Sequence, residues 1–295
     1  MKTIDEQTKN NRQDYEIYGG GKVSLVIEMG LGAVMAEWRA LAKRLSANNT
    51  VLLYQRAGYG NSGEFTTERT PENIADELYG LLKTIPHEEK ITLLAHSQGG
   101  LYAWYFAKAY PEIVGKIVLL DPLSPQDYRF RTELTEDEFK KSGADKTDGL
   151  RLNLKLTRLH LGWLVKLMMA KAPPFYYYNR FSADERKEIL SSLGNAQTYR
   201  TALAEYDYSR NIDSENGNTR LDIPVTLITH DSDISCREIC EFGGANVQQA
   251  QKIEALWQDI MKYYLSHTSK GELIRAKNSS HYIHLTDAAL ICGLF

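Results

Sequence analysis

The sequence predicts an α/β fold, a mostly parallel central sheet with helices on both faces, interrupted by a helical insertion. Three observations predict it. Short apolar runs of strand length alternate with longer segments whose apolar residues recur at helical spacing, the pattern of parallel sheets covered by helices. The apolar run Ile91-Thr92-Leu93-Leu94 leads into Ala95-His96-Ser97-Gln98-Gly99-Gly100 and then a helix-like segment from Leu101, which makes a strand, a tight turn centred on serine, and a helix. Residues 123–220 break the alternation and read as a helical insertion, first charged and then amphipathic.

In chain order, residues 14–18 and 22–28 read as two strands joined by Gly19-Gly20-Gly21. Residues 38–47 form a helix and 50–55 a buried strand. Pro71 opens the next helix, which carries Ile74, Leu78, Leu81, Leu82 and Ile85 on one face. The strand up to Ser97 and the helix to Ala109 follow, then a strand over 116–120 that ends in Asp121-Pro122. After the insertion come a strand over 224–229, a long helix over 247–265, a last strand over 272–276 and a closing helix over 287–295. The expected organisation is a core built from 1–122 and 221–295, with 123–220 as a helical cap.

At 295 residues and 43% apolar content the chain can bury a full core, so one large domain with an insertion is expected. The formal net charge of −3 gives no sign of a nucleic-acid partner or an anionic membrane surface. The start, Met1 to Asn10, is polar and lacks the apolar stretch of a secretory signal, and no run of 18 apolar residues could span a bilayer. Three cysteines, Cys236, Cys240 and Cys292, make no disulfide framework, and none has the histidine spacing of a metal site. These features favour reduced thiols, a cytoplasmic setting and no metal or organic cofactor; they do not set the oligomeric state.

The insertion begins charged, from Glu133 to Asp148, and becomes amphipathic from Leu150 to Ala172. Leu152, Leu154, Leu156, Leu159, Leu161, Trp163, Leu164, Leu167 and Met168 crowd this stretch, Pro173-Pro174 ends it, and Phe175-Tyr176-Tyr177-Tyr178 follows. An insertion at this point lies over the carboxyl ends of the strands, where open α/β sheets bind ligands. It is expected to build an apolar pocket, although most of its apolar residues have only to pack it against the core. A membrane-surface helix is a weaker reading, because no basic anchor accompanies it.

The chain resembles the α/β-hydrolase superfamily. The resemblance is carried by Val26-Ile27-Glu28-Met29-Gly30-Leu31-Gly32, by Tyr54-Gln55-Arg56-Ala57-Gly58-Tyr59-Gly60-Asn61-Ser62, and by Arg69-Thr70-Pro71. Val118-Leu119-Leu120-Asp121-Pro122 and the turn around Ser97 continue it. That turn is similar to a nucleophile elbow, whose strained serine requires small residues two places away on each side. Ala95 and Gly99 stand there, with Ala95 in place of the usual glycine.

The resemblance implies a catalytic triad in the chain order Ser, acid, His. A serine hydroxyl is a poor nucleophile until an imidazole takes its proton, and the imidazole needs a carboxylate to fix its tautomer and stabilise its charge. Of the seven histidines, His281 follows the last strand and precedes the closing helix, where the family's histidine sits. His96 should point away from Ser97, and His284 reads as structural. For the acid, the text after the strand is His230-Asp231-Ser232-Asp233. With His230 in the family's Gly place, Asp233 is the acid; a shorter turn would bring Asp231 forward. Asp121 is a third candidate, since some relatives carry the acid after the preceding strand, but it also reads simply as a turn residue before Pro122.

The resemblance further implies an oxyanion hole made by the backbone N–H groups of Gln98 and Leu31, with Gly30 and Gly32 letting the loop approach the substrate. Glu28 is expected to be a paired, partly buried carboxylate with Arg56 as partner. The implied function is a serine hydrolase that forms an acyl-enzyme, most simply a carboxylesterase acting on a small ester with an apolar portion. An aminopeptidase, a lactonase or thioesterase, a carbon–carbon bond hydrolase, or a slow-turnover binding protein are the alternatives on the same fold. Serine at position 97 argues against epoxide hydrolases and haloalkane dehalogenases, which use Asp there.

Overall fold

The computed structural model describes residues 13–169, 179–209 and 220–295. Seven strands form one sheet: β1 (Tyr15–Tyr18), β2 (Val23–Glu28), β3 (Val51–Tyr54), β4 (His87–His96), β5 (Val114–Leu120), β6 (Leu221–Thr229) and β7 (Thr268–Arg275). Their order across the sheet is β1-β3-β2-β4-β5-β6-β7. Only β1 runs antiparallel, pairing with β3; every other neighbouring pair is parallel. The Gly19-Gly20-Gly21 turn therefore joins two strands that are not neighbours, since β3 lies between them.

Three helices sit among the first five strands: α1 (Arg39–Leu45), α2 (Pro71–Leu82) and α3 (Gln98–Ala109). Thr70 caps α2 by accepting from the Asn73 N–H, and Pro71 occupies the first turn, where a missing N–H costs nothing. The strand residues read as near-continuous apolar runs because helices cover both faces. On one face Val26, Leu93, Ile117, Leu227 and the long helix α11 (Val247–Ser266) share a core with α2 and α3. On the other, Ile27, Leu94, Val118 and Ile228 pack with Trp38, Leu41 and the closing helix α13 (Ala288–Cys292), which follows the single turn α12 (Ile283–Thr286).

Between β5 and β6 the described residues form α4 (Arg129–Glu133), α5 (Glu136–Lys141), α6 (Thr147–Arg158), α7 (Gly162–Met169), α8 (Ala183–Leu193) and α9 (Ala196–Ser209). The amphipathic stretch is not one helix. It breaks where His160 takes a positive φ of 59°. Nor are its apolar residues uniformly buried: Leu152, Leu159, Trp163, Leu167 and Met168 are exposed, while Val165 is the buried residue of α7. The Pro173-Pro174 stop, the Phe175 to Tyr178 run and the polar residues 1–10 lie outside the described residues.

One helix was missing from the sequence reading. α10 (Ser232–Gly243) starts directly after β6 and carries Cys236 and Cys240. Among the described residues no helix is long and apolar enough to cross a membrane.

Candidate active site

Four adjacent strands deliver their carboxyl ends in a row. Ser97 directly follows β4, Asp121 follows β5, His230 follows β6, and β7 runs on into the loop that carries His281. Backbone hydrogen bonds tie these ends together: Ser97 N–H donates to the Leu120 carbonyl at 3.1 Å, Asp121 N–H to Ile228 at 2.8 Å, and Asp231 N–H to Ser279 at 2.9 Å.

Ser97 sits in the turn before α3 with φ 53° and ψ −128°, a conformation that non-glycine residues rarely adopt. The sequence permits it through its neighbours. A Cβ on Gly99 would come within 2.4 Å of the Glu28 carbonyl oxygen, and one on Gly100 within 2.4 Å of Pro122. These glycines let α3 start against β2 and the Pro122 turn. Gly30 lies on the other side, less tightly, where an added Cβ would be 3.2 Å from the Ser97 Cβ.

Ser97 Oγ donates to His281 Nε2 at 3.0 Å, and His281 Nδ1 donates to Asp121 Oδ2 at 2.7 Å. The His281 side chain is 38% exposed and Asp121 1%, so the imidazole can meet solvent or a ligand while its carboxylate partner is sealed in. Asp121 also takes a positive φ, 46°. Burial would raise its carboxyl, but His230 foremost, and then His281, hold it well below the usual carboxylate range.

The expected acids lie elsewhere. Asp233 is an exposed residue in the first turn of α10, and Asp231 is that helix's N-cap, its Oδ1 accepting from the N–H groups of Asp233 and Ile234 at 3.0 Å each. Neither meets His281; Asp121, the third candidate, does. The physical reason is that α10 begins at Ser232. The chain turns into a helix too early for Asp233 to face inward, and the capping carboxylate of Asp231 is consumed by the backbone.

His96 turns away from Ser97 and donates from Nε2 to the His281 carbonyl at 2.9 Å, fixing the loop that carries His281. Burial and the neighbouring His281 push its pKa down to about 3, so it stays neutral. His284 stacks on Trp38 with ring centroids 4.0 Å apart.

Glu28 and Arg56 do meet, at 2.6 Å, within a larger network. Arg56 also donates to the carbonyls of Met29 at 2.5 Å and Gly30 at 2.9 Å, the residues that lead into Leu31. Its remaining donors engage Glu205 of α9, which also accepts from Arg69 at 2.9 Å and from Tyr59. Arginine thus carries the loop after β2 and a helix of the insertion on one guanidinium. Gln98, as the first residue of α3, has an N–H with no intrahelical acceptor, and Leu31 follows Gly30 in the loop beside Ser97.

Glu254 has no place in the sequence reading, and His230 enters it only as the residue in the family's Gly place. His230 donates from Nδ1 to Asp121 Oδ2 at 2.8 Å and from Nε2 to Glu254 of α11 at 2.9 Å. The available signal was His230 itself, a bulky polar residue at a place where the resemblance calls for Gly. Among the described residues no group of three His, Cys, Asp or Glu side chains is arranged to hold a metal ion.

Comparison with known proteins agrees with this fold. Residues 23–234 match the family model of the alpha/beta hydrolase fold. The chain is similar to the uncharacterized protein YbdG of Bacillus subtilis (strain 168), 26% identical over 215 residues that cover 70% of this chain and 60% of YbdG. It is similar to the (lyso)-N-acylphosphatidylethanolamine lipase of Mus musculus, 33% identical over 104 residues, 34% of this chain and 30% of the lipase. Each match spans less than two thirds of the relative. A solved structure from Nostoc sp PCC 7120, ascribed to the alpha/beta hydrolases, superimposes with a TM-score of 0.74 over 96% of this chain and 92% of its own. At 15% identity that likeness is one of fold alone.

Proposed function

This chain belongs to the alpha/beta hydrolase fold family and is a hydrolase, and from that premise we propose that it is a serine hydrolase in which Ser97 is the nucleophile, His281 the base and Asp121 the acid. The observation that carries the reading is the unbroken chain Ser97 Oγ, His281, Asp121 at 3.0 and 2.7 Å, built on a nucleophile held at positive φ.

Ser97 Oγ attacks the acyl carbon and gives its proton to His281 Nε2. The imidazolium so formed is stabilised by Asp121 across Nδ1, and the oxyanion is received by the N–H groups of Gln98 and Leu31. Collapse of the tetrahedral intermediate passes the proton to the leaving oxygen and leaves an acyl-Ser97. Water then repeats the sequence, giving its proton to His281 as it attacks, and Ser97 regains it as the acid departs.

The substrate we favour is a carboxylic ester with an apolar portion. The mouse relative acts, by its name, as a lipase, which supports an ester bond. Residues 123–220 act in this reading as a cap over the strand ends. Labelling with a fluorophosphonate probe tests the proposal: wild type should be modified at Ser97 and hydrolyse 4-nitrophenyl butyrate, and Ser97→Ala should lose both. A folded wild-type protein that neither labels nor turns over esters would sink it.

A further inference from the structure

The reaction above leaves two buried titratable side chains beside Asp121, His230 and Glu254, without a task. His230, Asp121 and Glu254 have side chains 6%, 1% and 5% exposed, and the imidazole lies between the two carboxylates. Each ring nitrogen faces a carboxylate oxygen, at 2.8 and 2.9 Å. An ionised carboxylate only accepts hydrogen bonds, so both contacts are satisfied only when both ring nitrogens carry protons. The Trp257 ring lies against the imidazole with centroids 4.2 Å apart, a setting that suits a cation. The remaining oxygens are occupied as well: Asp121 Oδ1 accepts from the His230 N–H at 3.0 Å, and Glu254 Oε1 from Gln258 at 2.8 Å.

We propose that His230 is a positioning residue for the reaction: as an imidazolium clamped by Glu254, it keeps Asp121 ionised and turned so that Oδ2 receives the Nδ1–H of His281. The inference rests on the serine-hydrolase reading above. A sealed carboxylate left to itself tends to take up a proton, and a protonated Asp121 could not stabilise a charged His281. The charges explain why Glu254 is present. Asp121 and His230 alone would sum to zero and offer His281 no net counter-charge; with Glu254 the cluster carries −1, like a lone aspartate, but in a fixed orientation. The groups facing His230 are Asp121, directly after β5, and Glu254 from α11, with Cys236 of α10 near Glu254, Asp233 and Cys240 near Cys236, and His281 on the far side of Asp121. Burial works against the charge on His230, but the two carboxylates outweigh it and push its pKa up to about 10.

The test is the rate of Ser97 labelling by a fluorophosphonate against pH, which needs no knowledge of the substrate. His230→Gln leaves Asp121 and Glu254 as two carboxylates without their cation. Its acid limb should move to higher pH by about one unit, with a plateau about tenfold lower. Adding Glu254→Gln removes the second charge, and the limb should return to within about 0.2 units of wild type while the plateau stays low. Limbs that coincide with wild type in both variants, with only the melting temperature lowered, would make His230 a structural residue and overturn the proposal.

If His230→Gln does not fold, the double variant and a measurement on wild type decide. In protein labelled with 15N-histidine, both ring nitrogens of His230 should show protonated shifts at pH 8, whereas a single neutral tautomer refutes the clamp. Wild type that does not label at Ser97 refutes the serine-hydrolase reading and the positioning role with it. The nitrogen shifts would then report an ion pair of structural use alone.

Discussion

Two buried charge networks flank Ser97, and they are built from different cations. Beneath His281, His230 joins β5, β6 and α11 through Asp121 and Glu254. Beneath the loop after β2, Arg56 and Arg69 join that loop, β3 and α9 through Glu28, Glu77 and Glu205. An arginine cannot lose its proton in this range and offers five donors in a fixed fork, so it ties several elements together permanently. A histidine offers two donors and can be discharged. The arginine network looks like scaffolding that sets where the loop and the insertion sit. The histidine network touches a member of the proposed triad. The two should therefore fail differently: one in stability, the other in rate.

The sharpest contrast lies at Asp121. Asp121→Asn keeps the shape but presents an amide to His281 and His230, which leaves His281 without its counter-charge and favours the wrong tautomer. Ser97 labelling and ester turnover should fall about 10⁴-fold with little change in substrate affinity. Asp233→Asn, at the exposed start of α10, should leave both within about twofold. Equal losses in the two variants would return Asp233 to the site and break the comparison.

That contrast also shows what the sequence could yield. Ser97 and His281, which the structure brings within 3.0 Å of each other, are picked out by local text: an elbow that needs Gly99, and a position between the last strand and the closing helix. Asp121 depends on the neighbourhood of β5 and β6 in the sheet, which no local pattern displays. Asp231-Ser232-Asp233 reads equally well as a catalytic loop or as a helix cap, and the cap is what forms, because Asp231 satisfies two N–H groups at the start of α10. The strands were readable from their apolar runs. The insertion was not, because apolar content does not say which side is covered. Trp163 and Leu167 are exposed on a helix whose composition suggested a packed face.

On the arginine side, the test is Glu205. Glu205→Gln leaves Arg56 and Arg69 buried with too little negative charge. Breaking a buried pair in this way costs about 3–5 kcal/mol, to be read from the urea midpoint. Because Arg56 would still hold the Met29 and Gly30 carbonyls, labelling of the folded fraction should fall by no more than about tenfold. A larger loss of rate than of stability would mean that this network serves the chemistry directly.

The smallest effect separates the two cations by titration. An ordinary imidazole releases its proton near pH 6.5, whereas in the fold His230 holds its proton up to about pH 10. Between those values the folded protein binds more protons than the unfolded chain. The contribution of His230 to stability is therefore complete below about pH 6.5 and declines as pH rises towards 10. Asp121 and Glu254, both lowered, lose their contributions on the acid side instead. In the arginine network, burial pushes Glu28 up to about 7 against the pull of Arg56 and Tyr54, so it is half-titrated at neutrality and fully ionised only by about pH 8.5. From about pH 8.5 to 10, then, the histidine network is the one of the two that changes charge. The urea midpoint of wild type should fall across this interval relative to that of His230→Gln/Glu254→Gln, which has no imidazolium to lose. A constant difference between the two midpoints would mean that His230 is already neutral, and the distinction between a dischargeable and a permanent network would fail with it.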